Sequence, residues 1–169
     1  MKVNVAQLLR AEGASAHYDL QEEFPPFQFD GDDLVFESPV HVTLKVSNSG
    51  KELLASGRIQ TQLRAHCSRC LEEMSYPLDL EYEDEWVSTE KATEDQLENA
   101  LLFDKEQVEL DERILEQIVL SLPMKFTCKP DCKGLCSHCG TNLNLGECSC
   151  SEDDIDPRLA ALAKWHPAE

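Results

Sequence analysis

An α+β fold, in which a curved antiparallel sheet with a long hairpin carries one packing helix and a C-terminal cysteine-rich module, is predicted by three features of the sequence. Residues 53–67 and 74–82 alternate apolar with polar side chains on either side of a tight link, the period of a half-buried hairpin. Ile114, Leu115, Ile118, Val119 and Leu122 recur at helical spacing. Six of the eight cysteines crowd into the run Cys128-x3-Cys132-x3-Cys136-x2-Cys139-x8-Cys148-x-Cys150.

At the N-terminus, Asn4 is placed to cap a short helix with Val5, Leu8 and Leu9 on one face, ended near Gly13. Tyr18 and Leu20 suggest a strand that Pro25 and Pro26 break, and Gly31-Asp32-Asp33 is a turn. Val40, Val42, Leu44 and Val46 alternate with His41, Thr43 and Lys45, a strand with one wet face, before Asn48-Ser49-Gly50 turns the chain. The first hairpin arm sets Leu53, Ala55, Gly57, Ile59, Thr61, Leu63, Ala65 and Cys67 on one face. The second alternates Met74, Tyr76, Leu78, Leu80 and Tyr82 with Glu73, Ser75, Asp79, Glu81 and Glu83. Residues 84–109 turn acidic, with Trp86, Leu97, Leu101 and Phe103 as isolated apolar points, and read as a solvated linker carrying at most one short helix. Asp111 then caps the amphipathic helix and Pro123 stops it. Beyond the cysteines, Asp156 and Pro157 open a last helix whose apolar side is Leu159, Leu162, Ala163 and Trp165, placed to pack on the module or on the hairpin, or to grip a partner.

These elements divide the chain at 1–123, a β-rich domain with helices, and 124–169, the cysteine module with the last helix, the two expected to pack as one unit. A length of 169 residues and 41% hydrophobic content suffice for a real core. Residues 1–10 lack a signal-peptide pattern and no apolar run reaches the length of a membrane span, so a soluble, cytoplasmic protein is expected. The net charge of -18, from 15 basic and 33 acidic residues, disfavours free nucleic acid as a direct partner and favours basic proteins.

Eight cysteines make two sets of four. Short intervals let neighbouring thiolates converge on a tetrahedral ion at about 2.3 Å each, and in a reducing cytosol such thiols serve as metal ligands rather than disulfides. Zn2+ is therefore the expected cofactor, in two structural sites or in one, with Cys67, Cys70, Cys128, Cys132, Cys136, Cys139, Cys148 and Cys150 as ligands. A redox Cys-x-x-Cys sits at a helix N-terminus; Cys67 and Cys70 fall at a hairpin tip instead. The economical pairing gives Cys136, Cys139, Cys148 and Cys150 one ion and joins Cys128 and Cys132 to Cys67 and Cys70 across the fold. Exchange of Cys132 with Cys136, or replacement of a thiolate by His66 or His138, stays open.

A four-cysteine zinc site is coordinatively closed and leaves no position for an activated water. No Ser/His/Asp pattern or phosphate-cradling glycine loop accompanies it, so a binding protein rather than an enzyme is expected.

Several of these residues carry a resemblance. Cys67-x-Arg69-Cys70 on a hairpin, the helix ending in Leu120-Ser121-Leu122-Pro123, and the run Gly134-Leu135-Cys136-Ser137-His138-Cys139-Gly140 are the first part of it. Asn142-Leu143-Asn144, Cys148-x-Cys150 and the closing Asp156-Pro157-Arg158 complete it. In order and spacing they resemble the YceD family, over most of the chain. The resemblance implies a ribosome biogenesis factor: members are described as large-ribosomal-RNA-subunit accumulation proteins whose loss lowers 23S rRNA, with no reaction assigned. The family's gene often lies beside that of a small basic large-subunit ribosomal protein, which makes such a protein, or a pre-large-subunit particle, the implied partner. What carries over by position is Cys67 and Cys70 with Arg69, and the C-terminal cluster of the cysteine-rich branch; no catalytic residue does. Lys45, Lys51, Arg58, Arg64 and Arg69 near the hairpin are candidates for touching RNA, or simply decorate a wet face. The alternatives are a zinc-stapled acidic adaptor outside the ribosome pathway and a thiol- or metal-dependent RNA-processing enzyme, which would need an open metal position or a thiol of depressed pKa.

Overall fold

The computed structural model describes residues 1–150; the helix expected at 156–165 lies outside them. The chain runs through β1 (Lys2–Asn4), a 3-10 turn (Leu8–Arg10), β2 (Ser15–Glu22), β3 (Phe27–Phe29), β4 (Asp32–Phe36), β5 (Val40–Asn48), β6 (Leu53–His66) and β7 (Glu73–Ser88). It continues through α1 (Glu94–Asn99), β8 (Leu101–Phe103), β9 (Gln107–Glu109) and α2 (Asp111–Ser121). The sheet is mostly antiparallel, as the alternation predicts, and β6 organises it. One edge of β6 pairs with β7 along the whole strand, from Leu53↔Trp86 to His66↔Glu73. Its other edge takes β5, from Leu53↔Asn48 to Gln60↔His41, and then β4 at Leu63↔Phe36 and Arg64↔Val35. β2 continues the sheet beyond β5, and β3 beyond β4.

Strand alternation then decides which face meets water. Leu53, Ala55, Ile59, Thr61, Leu63 and Ala65 of β6 are buried, with Val40, Val42, Leu44 and Val46 of β5 and Leu78, Tyr82 and Trp86 of β7. α2 adds Ile114 and Ile118 to the same core, each such side chain contributing about 1.5–3 kcal/mol. Between β5 and β6 the backbones approach so closely at Gly57 that a Cβ there would lie 1.9 Å from the Thr43 carbonyl oxygen, so only glycine fits.

Three expectations need correction. The N-terminal segment is not a helix: β1 pairs with β9, and the Val5 N–H donates to the Glu106 carbonyl. Asn4 Oδ1 does accept the Ala6 N–H at 3.0 Å, but the chain then makes only a single 3-10 turn, with Leu8 buried and Leu9 exposed. Asp111 is the first residue inside α2 and Leu110 takes the N-cap position; Asp111 still places its charge at the positive end of the helix.

Residues 84–109 are not a solvated linker. Trp86 and Val87 end β7 in the core, Phe103 and Val108 are buried, and β8 pairs with β7 as a parallel strand. A short helix is present, α1, opened by the Thr93 N–H donating to Gln96 Oε1 at 3.2 Å. Each apolar anchor stands alone in an acidic stretch, so no period of 2 or 3.6 reveals it.

Within this stretch lies a buried ion pair. Asp84, whose side chain is 3% exposed, accepts from Arg113 Nε at 2.8 Å and Nη2 at 2.9 Å. Tyr82 Oη donates to the same carboxylate at 2.9 Å and receives the Trp86 indole N–H at 3.3 Å. Burial and the Asp84 charge push the Tyr82 phenol far above its ordinary range, so it stays neutral and donates. This network ties β7 to the first turn of α2. Among the described residues no helix is long and apolar enough to cross a membrane.

Candidate metal centre

The hairpin tip, residues 67–72, folds as a thiol-bearing knuckle. The Leu71 N–H donates to the Cys67 carbonyl at 2.9 Å, and the Cys67 N–H donates to the Glu72 carbonyl at 2.9 Å. The same pair of bonds recurs at Cys136: Gly140 N–H to the Cys136 carbonyl at 2.9 Å, and Cys136 N–H to the Thr141 carbonyl at 2.9 Å. In each knuckle the residue after the second cysteine turns left-handed, φ 60° at Leu71 and φ 72° at Gly140. The Cys-x-x-Cys spacing thus builds one local geometry twice.

Docking of the downstream segment completes the first site. The Ser68 N–H donates to the Phe126 carbonyl at 2.8 Å, the Leu135 N–H to the Arg69 carbonyl at 3.0 Å, and Arg69 Nη1 to the Cys132 carbonyl at 2.8 Å. Phe126 meets Tyr76 edge-to-face at 5.2 Å. Gly134 (φ 76°) allows the approach, since a Cβ there would stand 3.1 Å from the Arg69 carbonyl oxygen. The result brings Cys67, Cys70, Cys128 and Cys132 together with every pair of sulfurs within 4.8 Å. Cys136, Cys139, Cys148 and Cys150 form a second group to the same limit. His66 stands instead 3.8 Å from Glu73, and neither it nor His138 joins a group.

The geometry fits a metal. A tetrahedron with sulfur about 2.3 Å from its centre has edges of about 3.8 Å; Cys67 Sγ lies 3.8 Å from Cys132 Sγ, and Cys70 Sγ 3.7 Å from Cys128 Sγ. Four thiolates are a soft donor set that suits zinc and leaves no ligand position open. The two sites differ in exposure: Cys67, Cys70 and Cys132 are buried, whereas Cys139 and Cys150 are exposed.

Proton affinities divide each set in two. Burial raises the Cys67 thiol, but the N–H groups of Cys128, Cys70 and Arg69 outweigh it and bring Cys67 down to about 6. The Thr141 hydroxyl and N–H bring Cys139 to about 6. Burial, followed by the neighbouring thiolates, pushes Cys128 up to about 12, and Cys139 does the same to Cys150. Cys132 and Cys136 are also lowered, Cys70 and Cys148 raised. Four negative charges cannot share so small a space unless a cation replaces the protons.

A consequence is measurable. At about pH 7.5 the two raised thiols of each site are protonated, so each zinc bound should release at least two protons. The folded-state thiolates at about 6 are formed above that pH. Metal affinity therefore rises with pH, and metal is lost as pH falls through and below about 6. Calorimetric zinc titrations in buffers of different ionisation enthalpy read the count directly, and a count of zero would contradict the assignment.

Sequence reasoning missed the partners of the sulfurs. Asn144 Nδ2 donates to Cys132 Sγ at 3.3 Å, while Asn144 Oδ1 accepts the Lys133 N–H at 3.0 Å. Asn144 lies between the ligands of the second group yet contacts the first. The only signal was its place in the Asn142-Leu143-Asn144 motif. Asn144→Ala should weaken metal binding at the first site by about 10–100-fold, read by competition with a chromogenic chelator.

Comparisons with known proteins bear on this arrangement. The model of the family described as large ribosomal RNA subunit accumulation protein YceD matches residues 55–165, which include the hairpin and both cysteine groups. An uncharacterized protein of Mycobacterium tuberculosis is 28% identical over 124 residues, covering 72% of this chain and 59% of its own length. One from Mycobacterium leprae is 27% identical over 150 residues, covering 85% of this chain and 68% of its own. An Arabidopsis thaliana protein named large ribosomal RNA subunit accumulation protein YCED homolog 1, chloroplastic, is 24% identical over 155 residues, covering 74% of this chain and 48% of its own. The chain thus spans about 59% of the length of the M. tuberculosis relative. No solved structure matches it. The hairpin with its thiol knuckle and the cysteine module fall inside one family match over most of the chain, and the chain belongs to the YceD family.

Proposed function

We propose that this protein supports accumulation of large-subunit ribosomal RNA, 23S rRNA in bacteria, by binding and not by catalysis. The observation that carries the reading is the family match across residues 55–165; the plant relative bears the same description in its name. Two zinc ions build the binding surface. The first joins residues 1–123 to the C-terminal module as one unit; the second shapes the module itself. The lowered thiols Cys67 and Cys139 belong to closed four-sulfur sets, so their thiolates serve the metal and leave no free nucleophile. With eight thiolates and two zinc ions the net charge of -18 becomes about -22, which suits a basic large-subunit ribosomal protein, or a particle that displays one, as partner in the cytoplasm.

Depletion followed by resupply tests this. Cells lacking the protein should show a lowered ratio of large- to small-subunit rRNA and fewer large subunits on a gradient, both restored by the wild-type chain. An unchanged ratio would refute the ribosomal role and favour an acidic adaptor acting elsewhere.

A further inference from the structure

β7 has an edge that nothing covers among the described residues. β6 pairs with one side of it from Glu73 to Trp86, while β8 takes the other side only at Trp86, Val87 and Ser88. The edge from Glu73 to Asp84 therefore presents main-chain N–H and C=O groups unpaired by any strand, a ready template for a further strand. Pro77 occurs inside β7, where a strand paired on both sides would not tolerate it. Beyond Pro77 the main chain offers donors and acceptors from Leu78 to Asp84, the Glu85 N–H being already given to Asp84 Oδ1 at 3.0 Å.

Chemistry along that edge is selective. Asp79, Glu81, Glu83 and Glu85 project from the exposed face at alternate positions. Asp79 is satisfied by Arg58, Nε to Oδ1 at 2.9 Å, and by Gln60. Glu81, Glu83 and Glu85 form no ion pair among the described residues, and they stand about 6.8 Å apart along the strand. An added strand with cations at every second residue would set each opposite one of these carboxylates, where cross-strand pairs of opposite charge are favourable. A second copy of this edge would bring like charges together, so charge selects against self-association. Residues 151–169 hold five carboxylates against two cations and are a poor electrostatic match for the same place.

We propose that the β7 edge over residues 78–85 docks an extended cationic segment of a partner protein, with Lys or Arg at alternate positions, as an added strand. As an account of how the partner is held this rests on the binding role proposed above; as a docking surface it stands on the open edge and its charge pattern. Main-chain pairing would supply affinity and the alternating carboxylates would supply register.

A short fluorescent peptide alternating Lys with Thr is the probe, titrated by anisotropy into the zinc-loaded full chain at low salt. Binding is expected, and the triple variant Glu81→Gln/Glu83→Gln/Glu85→Gln should weaken it by about tenfold. The control Glu94→Gln/Glu98→Gln on α1 should leave it unchanged. N-methylation of alternate peptide nitrogens, chosen on each of the two faces in turn, should abolish binding in one phase, because it removes the donors of the added ladder. No binding would overturn the proposal, as would equal binding of both N-methylated peptides, which would mean charge attraction without strand addition. Peptide binding is read on purified protein and rRNA accumulation in depleted cells, so either can fail while the other stands.

Discussion

Removal of zinc, or Cys132→Ser, should release residues 124–150 from the hairpin tip while the β5–β6–β7 sheet stays folded. The first site closes a loop between Cys70 and Cys128, separated by 58 residues in sequence. Without the metal, the raised thiols Cys128 and Cys70 regain their protons, and what remains at the junction is a few hydrogen bonds and Phe126, buried against Tyr76. Structural zinc in small peptides supplies roughly 10–16 kcal/mol of apparent binding energy, far more than those hydrogen bonds at about 0.5–1.5 kcal/mol each and one buried Phe at about 1.5–3 kcal/mol. Hydrogen exchange should therefore rise sharply at residues 67–72 and 124–150 and stay slow at Ile59 and Leu63, which lie in the core. Cys148→Ser gives the contrast: metal content falls from two to one per chain, with the tip still protected. If Cys132→Ser retained two metals, or left exchange at 124–150 unchanged, the cross-fold site would be wrong.

The second large effect is expected at Arg113. Arg113→Met leaves the Asp84 carboxylate, 3% exposed, without the two guanidinium bonds that compensate its burial. Stripping one partner from such a pair costs about 3–5 kcal/mol. Tyr82 and the Glu85 N–H still donate to Asp84, which places the expected loss toward the lower end of that range. Urea unfolding of the metal-loaded protein should show a lower midpoint, with most of the loss regained in Asp84→Asn/Arg113→Met, where no unpaired charge is left. A loss under about 1 kcal/mol would class the pair with surface salt bridges. Because the pair anchors α2, destabilisation should spread to the helix and from there to the segment leading to Phe126.

Alternation made the sheet legible. Leu53 through Ala65 keep a strict period of two, and a one-residue slip would turn that entire face to water, so pairing and register follow almost directly. The helix was legible for the same reason, since Ile114 and Ile118 are one turn apart. Residues 84–109 were not legible. Trp86, Phe103 and Val108 reach the core from separate strands, and none of the three recurs within its own segment often enough to show a period. The N-terminal strand escaped sequence reasoning because it depends on a long-range pairing, β1 with β9, which no local propensity encodes.

For the candidate site, sequence alone determined the number of thiols and the two knuckles, because these depend on spacings of a few residues and on backbone turns formed within them; it favoured Cys136, Cys139, Cys148 and Cys150 as one local set and left the exchange of Cys132 with Cys136 open. Tertiary structure decided the rest. Only packing of the downstream segment on the hairpin sets Cys128 and Cys132 beside Cys67 and Cys70 at tetrahedral spacing, and the fold of that segment lays Asn144 on the Cys132 sulfur. Contacts between residues 58 or more apart in the chain are fixed by the shape of the whole core, and no spacing in the sequence records that shape.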